Sequence, residues 1–190
     1  MPDKCSVSWV RQKVSEIKIT VKPLTAEQLP QVVALDNLCL GGLWSLEGYQ
    51  RELASPNSTM LVLSVPTLTP PKEKIIGLGC LWAILEEAHI TILVVHPDYQ
   101  GQGWGKLLLS SLLQNARERQ LERATLEVRE GNEVALSLYQ KFGFKIAGKR
   151  RGYYEKTGED ALILWRGDLA QPTILESLTA PGNKNNSEKK

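Results

Sequence analysis

Val95-His-Pro-Asp-Tyr-Gln100-Gly-Gln-Gly103-Trp-Gly105-Lys106 decides how the rest of this chain is read. Before it lies His89 to Val95, a run rich in branched residues with the composition of a β-strand. After it, Leu109, Leu112, Leu113 and Ala116 recur at the i, i+3, i+4, i+7 spacing of one helix face, which predicts a helix ending near Arg119. A glycine-rich turn therefore joins a strand to a helix. Glycine lets a backbone come close to a ligand, and the first amides of a helix are unpaired donors at the positive end of its dipole. A pyrophosphate suits that combination. Two common phosphate loops do not fit. Lys106 is followed by Leu107, not by the Ser or Thr that holds magnesium in a Walker loop. The Gly101-x-Gly103-x-Gly105 spacing sets its last glycine one residue too close for a dinucleotide fingerprint. A turn of purely structural use is the competing reading.

Working outward, Ile17, Ile19 and Val21 alternate with polar neighbours and predict a first strand. Thr25-Ala-Glu-Gln28 has the form of a capping box and predicts a helix to about Cys39, starting later if Pro30 occupies its first turn. Gly41-Gly42 interrupts the chain, and Trp44 to Leu53 predict a short second helix. Strands are expected near 59–65 and 74–85, on either side of a proline-rich loop from Pro66 to Lys74. Downstream, Arg123 to Arg129 is a strand, and Asn132 opens a helix with Ala135, Leu138, Tyr139 and Phe142 on one face, stopped by Gly143. Two closing strands near 144–153 and 160–168 flank a turn at Lys156-Thr-Gly-Glu. This order predicts a mixed α/β domain with helices to cover both faces of one sheet. The expected limits are a flexible extension over 1–16, one domain over 17–169 and a polar, disordered tail over 170–190.

With 42% hydrophobic and 23% charged residues in 190, the chain has the composition of a globular protein with one sizeable core. Its 23 basic and 21 acidic residues leave a net charge of +2, too balanced to favour nucleic-acid binding. Cys5, Cys39 and Cys80 are too few and scattered for a disulfide framework. Together with two histidines they show no metal-ligand spacing, so no metal is expected. The longest apolar run, around Leu78 to Leu85, is far short of a membrane span, and the Met-Pro-Asp-Lys start lacks the apolar core of a secretion signal. The expectation is a reduced, cytoplasmic protein with neither a membrane nor a direct nucleic-acid partner.

Gln100-x-x-Gly103-x-Gly105, after a strand ending in Val95-x-Pro97, resembles the acetyl-CoA motif of the GCN5-related N-acetyltransferases. Leu126-Glu-Val-Arg129, Asn132, Ala135-Leu-x-Leu-Tyr139 and Phe142-Gly-Phe144 agree with that family's later half in order and spacing. Arg150-Arg-Gly-Tyr-Tyr154, Glu159-Asp-Ala161 and Trp44-Ser45 resemble the branch that acetylates bacterial ribosomal proteins on an N-terminal alanine. The similarity spans residues 17 to 168. It implies the GNAT fold, a mixed twisted sheet whose splayed central strands hold acetyl-CoA between them. Leu93, Val94 and Val95 would offer backbone groups to the pantetheine arm and thioester carbonyl. Gln100, Gly101, Gln102, Gly103, Trp104, Gly105 and Lys106 would surround the pyrophosphate. Asn132 would hold the cofactor through its amide, cap its helix, or do both. Trp44, Tyr153 and Tyr154 are candidates to grip a peptide N-terminus, against the ordinary reading of large aromatics as packing. The chain departs from the family at Leu43, where a proline is expected, in a loop that helps form the acceptor site.

Acetyl transfer from a thioester to an amine needs a neutral amine and a proton for the departing thiolate. At pH 7 roughly a tenth to a sixth of an α-amine is neutral, against about one lysine in 2,500, so an N-terminal acceptor needs only a modest base. Strand alternation sets Thr125, Glu127 and Arg129 on one face and Leu126 and Val128 on the other. Glu127 is then the base candidate, accepting the proton directly or through water; the alternative is a surface glutamate paired with Arg129 or Arg150. Tyr139 is the acid candidate, with a packed ring and a hydroxyl toward the cleft, or else an ordinary core aromatic. Cys80, among Leu78, Leu81 and Trp82, is expected to be inert, and His96 to be a solvated loop residue. The competing functions are an enzyme of this family acting on lysine or a small amine, and a non-catalytic acetyl-CoA-binding module.

Overall fold

The computed structural model describes residues 19–154 and 157–173. Cys5, Ile17, Lys156, the expected 1–16 extension and most of the 170–190 tail lie outside the described residues. In chain order the elements are β1 (Thr20–Pro23), α1 (Leu29–Leu40), α2 (Leu46–Ala54), β2 (Ser58–Pro66), β3 (Glu73–Ile84) and β4 (Glu87–Val95). They continue with α3 (Trp104–Glu118), β5 (Arg123–Arg129), α4 (Glu133–Lys141), β6 (Lys145–Tyr154) and β7 (Glu159–Arg166). The strands form a single sheet ordered β1-β2-β3-β4-β5-β7-β6. Every neighbouring pair is antiparallel except β4 with β5.

Local sequence accounts for most boundaries. Thr25 donates its amide to Gln28 Oε1 at 3.0 Å, but this closes only a 3-10 turn; α1 begins at Leu29 with Pro30 in its first turn, the later of the two expected starts. Ser45 caps α2 by accepting from the Gly48 amide at 3.2 Å. The α3 face built from Leu109, Leu112, Leu113 and Ala116 is wholly sealed, each leucine contributing roughly 1.5–3 kcal/mol by leaving water. Leu169 is also buried, and its amide donates to Glu122 O at 3.0 Å, so the packed chain extends to the end of β7 and beyond.

Two cores lie on opposite faces of the sheet. One packs α3 and α4 against Leu63, Ile76, Leu126 and Leu164, and includes Tyr139 and Phe142. The other packs α1 and α2, through Val32, Leu35 and Tyr49, against Val62, Leu78 and Cys80. Strand β4 serves both. Ala88 and Ile90 belong to the first core, whereas Ile92 and Val94 belong to the second, although even-numbered residues of a regular strand share one face. The switch comes from a bulge: Cys80 pairs with Ile92 and Leu81 with Ile90, leaving Thr91 as an extra residue. A bulge bends its strand and increases the twist. The parallel pairing of β4 with β5 runs from Glu87↔Arg123 to Ile90↔Leu126 and ends there. Beyond it β4 stays with β3, while β5 continues along β7 through Arg129↔Ala161. The central strands therefore part, and a wedge opens toward Val95.

Candidate active site

The glycine-rich turn stands at the open end of this wedge. Pro97 to Tyr99 form a 3-10 turn, and Gly101 and Gly103 take φ of +73° and +88°, a backbone region that L side chains rarely adopt. A Cβ placed on either would meet no atom within 4 Å, so open space lies in front of both. Gly103 caps α3, and its carbonyl takes the amides of Lys106 and Leu107 at 3.0 and 3.2 Å. The amides of Gly103, Trp104 and Gly105 have no acceptor among the described residues, as the first turn of a helix dictates. Gln100 turns inward, its side-chain amide donating to Val95 O at 2.8 Å, so that side chain shapes the loop. Gln102 spans Asp98 O and Trp104 Nε1, both at 3.3 Å. His96 is not the solvated loop residue expected: its side chain is 17% exposed, caps the turn through Asp98 N at 3.3 Å and meets Tyr99 edge-on.

Asn132 caps α4, its Oδ1 accepting from Ala135 N at 3.1 Å. Capping uses the oxygen, and the amide group has no partner among the described residues. Leu93 pairs with Gly79 and Val95 with Gly77 on the β3 side of β4, so the opposite edge of this stretch faces the wedge. These edges, glycines and orphan amides suit an extended ligand with an anionic end; they fit acetyl-CoA.

Glu127 is the first β5 residue past the last β4–β5 pair and lies at the vertex of the wedge. Its side chain is only 9% exposed, so it is no surface glutamate. Oε1 meets Arg150 at 3.2 Å and Oε2 meets His89 Nε2 at 3.1 Å. Arg129, its expected alternative partner, is held elsewhere by Glu159 and by stacking 4.1 Å from the Tyr154 ring centre. The alternation predicted for β5 holds throughout, Leu126 and Val128 being buried and Thr125, Glu127 and Arg129 half-buried.

Tyr139 approaches from the other face of the sheet. Its ring packs edge-on against Phe144, with centroids 5.8 Å apart, and burial pushes its phenol well above the usual range, helped by Tyr154. The hydroxyl has no hydrogen-bond partner among the described residues, and no described side-chain polar atom is both sealed and unsatisfied. Tyr154 interacts electrostatically with both Tyr139 and Glu127, and burial raises its own phenol against the lowering pull of Arg129. Tyr153 is 44% exposed and sits edge-on to Tyr154 at 5.2 Å, with Arg150 over its ring.

On the α1–α2 side a row of rings leads to this vertex. Trp44 contacts Tyr49 edge-on at 5.2 Å and stacks on Trp82 at 6.0 Å; Trp82 in turn stacks on His89 at 6.2 Å. Trp44 thus has packing partners on two sides and remains half-buried. Asp36 fixes its loop, accepting from the amides of Leu43 and Trp44 at 2.9 and 3.0 Å and from Tyr49 Oη at 3.0 Å. Burial pushes the Cys80 thiol up, which leaves it a poor nucleophile, as expected. Neither His89 nor Asp36 was singled out from sequence. The only local signal for His89 was a polar ring in a β-rich run two residues from Glu87; its partners come from another strand.

The chain and its fold have counterparts among known proteins. The model of the acetyltransferase (GNAT) family matches residues 29–144. A Bacillus subtilis protein, provisionally named a ribosomal protein bS18-alanine N-acetyltransferase, is 31% identical over 149 residues, covering 78% of this chain and 95% of its own. The N-alpha-acetyltransferase RimI of Mycobacterium tuberculosis is 36% identical over 130 residues, covering 68% and 78%. The crystal structure of the ribosomal-protein-S18-alanine N-acetyltransferase from Escherichia coli superimposes with a TM-score of 0.68 at 26% identity, over 90% of this chain and 100% of that one.

Proposed function

This chain belongs to the acetyltransferase (GNAT) family, and we propose that it moves the acetyl group of acetyl-CoA onto the N-terminal amine of a protein beginning with alanine, a ribosomal protein. One observation carries the mechanism: a nearly buried carboxylate stands where β4 and β5 part, with orphan helix amides at the open end of the same wedge. When bound, acetyl-CoA supplies an acetyl group already activated as a thioester. The amides of Gly103, Trp104 and Gly105, with Lys106, would hold its pyrophosphate, and the free edge of Leu93, Val94 and Val95 would align the arm. Asn132 adds its amide group while its oxygen caps α4. Glu127 takes the proton of the attacking amine. Tyr139 gives its hydroxyl proton to the leaving sulfur; burial keeps that hydroxyl protonated across the physiological range. Trp44, Tyr153 and Tyr154 border the approach of the peptide.

An acceptor panel tests this reading: an alanine-starting peptide, the same peptide with a blocked N-terminus and an internal lysine, and a polyamine. Turnover of the first at least about tenfold above the others is expected, following the greater neutral fraction of an α-amine. Strong turnover of the polyamine with none of the alanine peptide overturns it.

Tyr139→Phe tests the acid. A thiol ionises near 8.5, so its thiolate leaves without much help, and kcat is expected to drop only about tenfold to a hundredfold. The ring and its contact with Phe144 stay, so the melting temperature should hold. Equal loss of kcat and stability would make Tyr139 a packing residue instead.

A further inference from the structure

His89 has hydrogen-bond partners on both ring nitrogens, and together they fix where its protons are. Thr125 Oγ1 lies 2.7 Å from Glu87 Oε1 and 3.0 Å from His89 Nδ1. A carboxylate only accepts, so the single hydroxyl proton of Thr125 goes to Glu87, and Thr125 must accept from His89 Nδ1–H. The other nitrogen, Nε2, then faces Glu127 Oε2 at 3.1 Å. Two acceptors, a bare nitrogen and a bare carboxylate oxygen, thus face each other across a gap that one incoming proton would bridge as a charge-assisted hydrogen bond.

We infer that Glu127 and His89 act as one proton acceptor, with His89 the positioning residue that shares the proton Glu127 takes. As the new C–N bond forms and the amine N–H breaks, that proton comes to lie between Oε2 and Nε2. The C–S bond breaks, and the sulfur receives the proton of Tyr139. Loss of the shared proton to water, and reprotonation of Tyr139, reset the site. The advantage follows from the 3.1 Å contact: a proton held between two acceptors is drawn from the amine more firmly than by a lone carboxylate. The groups around the ring are Glu87 on β4, Thr125, Glu127 and Arg123 on β5, Arg150 on β6 and the stacked Trp82 on β3. The inference rests on Glu127 being the base of the reaction proposed above.

Two measurements on the full chain decide it. In steady-state turnover of an alanine-starting peptide, His89→Gln, which keeps a hydrogen-bonding group but carries no titrating proton, should lower kcat about tenfold to a hundredfold with both KM values within about twofold. Added imidazole should recover turnover several-fold in His89→Ala. A His89→Gln kcat within about twofold of wild type overturns the inference. The second readout needs no turnover. The chain has two histidines, so ¹⁵N-histidine spectra carry two rings, and His96→Gln assigns them. The Nδ1-bound proton of His89 should persist in both wild type and Glu127→Gln, and Glu127→Gln should displace the Nε2 resonance, because the amide that replaces the carboxylate donates to Nε2 and shares no proton with it. An Nε2–H tautomer, or an Nε2 resonance indifferent to Glu127→Gln, also overturns it. Should wild type leave alanine peptides untouched, the proposed acceptor fails, while the spectra still decide the shared proton.

Discussion

Glu127→Gln should lower kcat by roughly a hundredfold to ten-thousandfold, the range that a positioned general base contributes. The substitution keeps the side chain's size and leaves an oxygen for Arg150 at the 3.2 Å contact, so it removes proton affinity with little change of shape. Acetyl-CoA affinity, measured by calorimetry, should change less than about twofold, because the glycine-rich turn and the free edge of β4 are untouched. Stability should also hold, since the Arg150 partner is 54% exposed and such a pair contributes about 1 kcal/mol at most. Unchanged turnover would falsify the role of Glu127. Loss of cofactor binding in parallel with turnover would show instead that the carboxylate organises the wedge. A non-catalytic acetyl-CoA-binding module has no use for a proton acceptor at this position, so the result also separates the enzyme from that alternative.

What the sequence disclosed about this site was local, and what it withheld was pairing. Helix α3 could be read from four residues within eight positions, because helical periodicity repeats within two turns. The glycine-rich turn was legible because Gly101 and Gly103 answer to a backbone requirement, their positive φ, which needs no distant neighbour. That Glu127 shares a face of β5 with Thr125 and Arg129, opposite buried Leu126 and Val128, followed from alternation alone. Strand β4 defeats the same rule. Alternation run straight through His89–Val95 sets Ile90 and Ile92 on one face, whereas the bulge at Thr91 sends them to opposite cores. No residue type marks that bulge. Yet it ends the β4–β5 ladder and makes the wedge, so the physical origin of the wedge was invisible, and only the family resemblance implied splayed central strands. The same reasoning explains the missed histidine. His89 stands opposite Thr125 because of a parallel register between strands 36 residues apart, and register follows from the packed sheet. Glu127 had two arginines within reach along the sequence. Its choice of Arg150 depends on Arg129 being claimed by Glu159 across the β5–β7 ladder.

Asp36→Ala should destabilise the protein by about 3–5 kcal/mol, read from urea unfolding. The carboxylate is fully buried in α1 and gathers three donors: the Leu43 and Trp44 amides and the Tyr49 hydroxyl. A buried donor left without an acceptor costs about 1–3 kcal/mol, and hydrogen bonds to a charged group are the stronger kind. The losses are unequal. Leu43 is half exposed, so its amide recovers water once the loop moves; Tyr49 is sealed, and its hydroxyl stays unsatisfied. Burial, reinforced by Asp36, already holds the Tyr49 phenol far above its ordinary range, so it cannot escape by ionising. Tyr49→Phe, which removes one donor and leaves Asp36 its two amides, should cost only about 1–2 kcal/mol. An Asp36→Ala effect below about 1 kcal/mol, or one no larger than that of Tyr49→Phe, would mean that the loop amides draw little from the carboxylate. The functional consequence separates the two ends of the site. With its anchor gone, the Leu43-Trp44 loop loses the geometry that stacks Trp44 on Trp82, so KM for the peptide should rise. KM for acetyl-CoA should stay within about twofold, because the glycine-rich turn hangs from β4 and α3 and shares no hydrogen bond with that loop among the described residues.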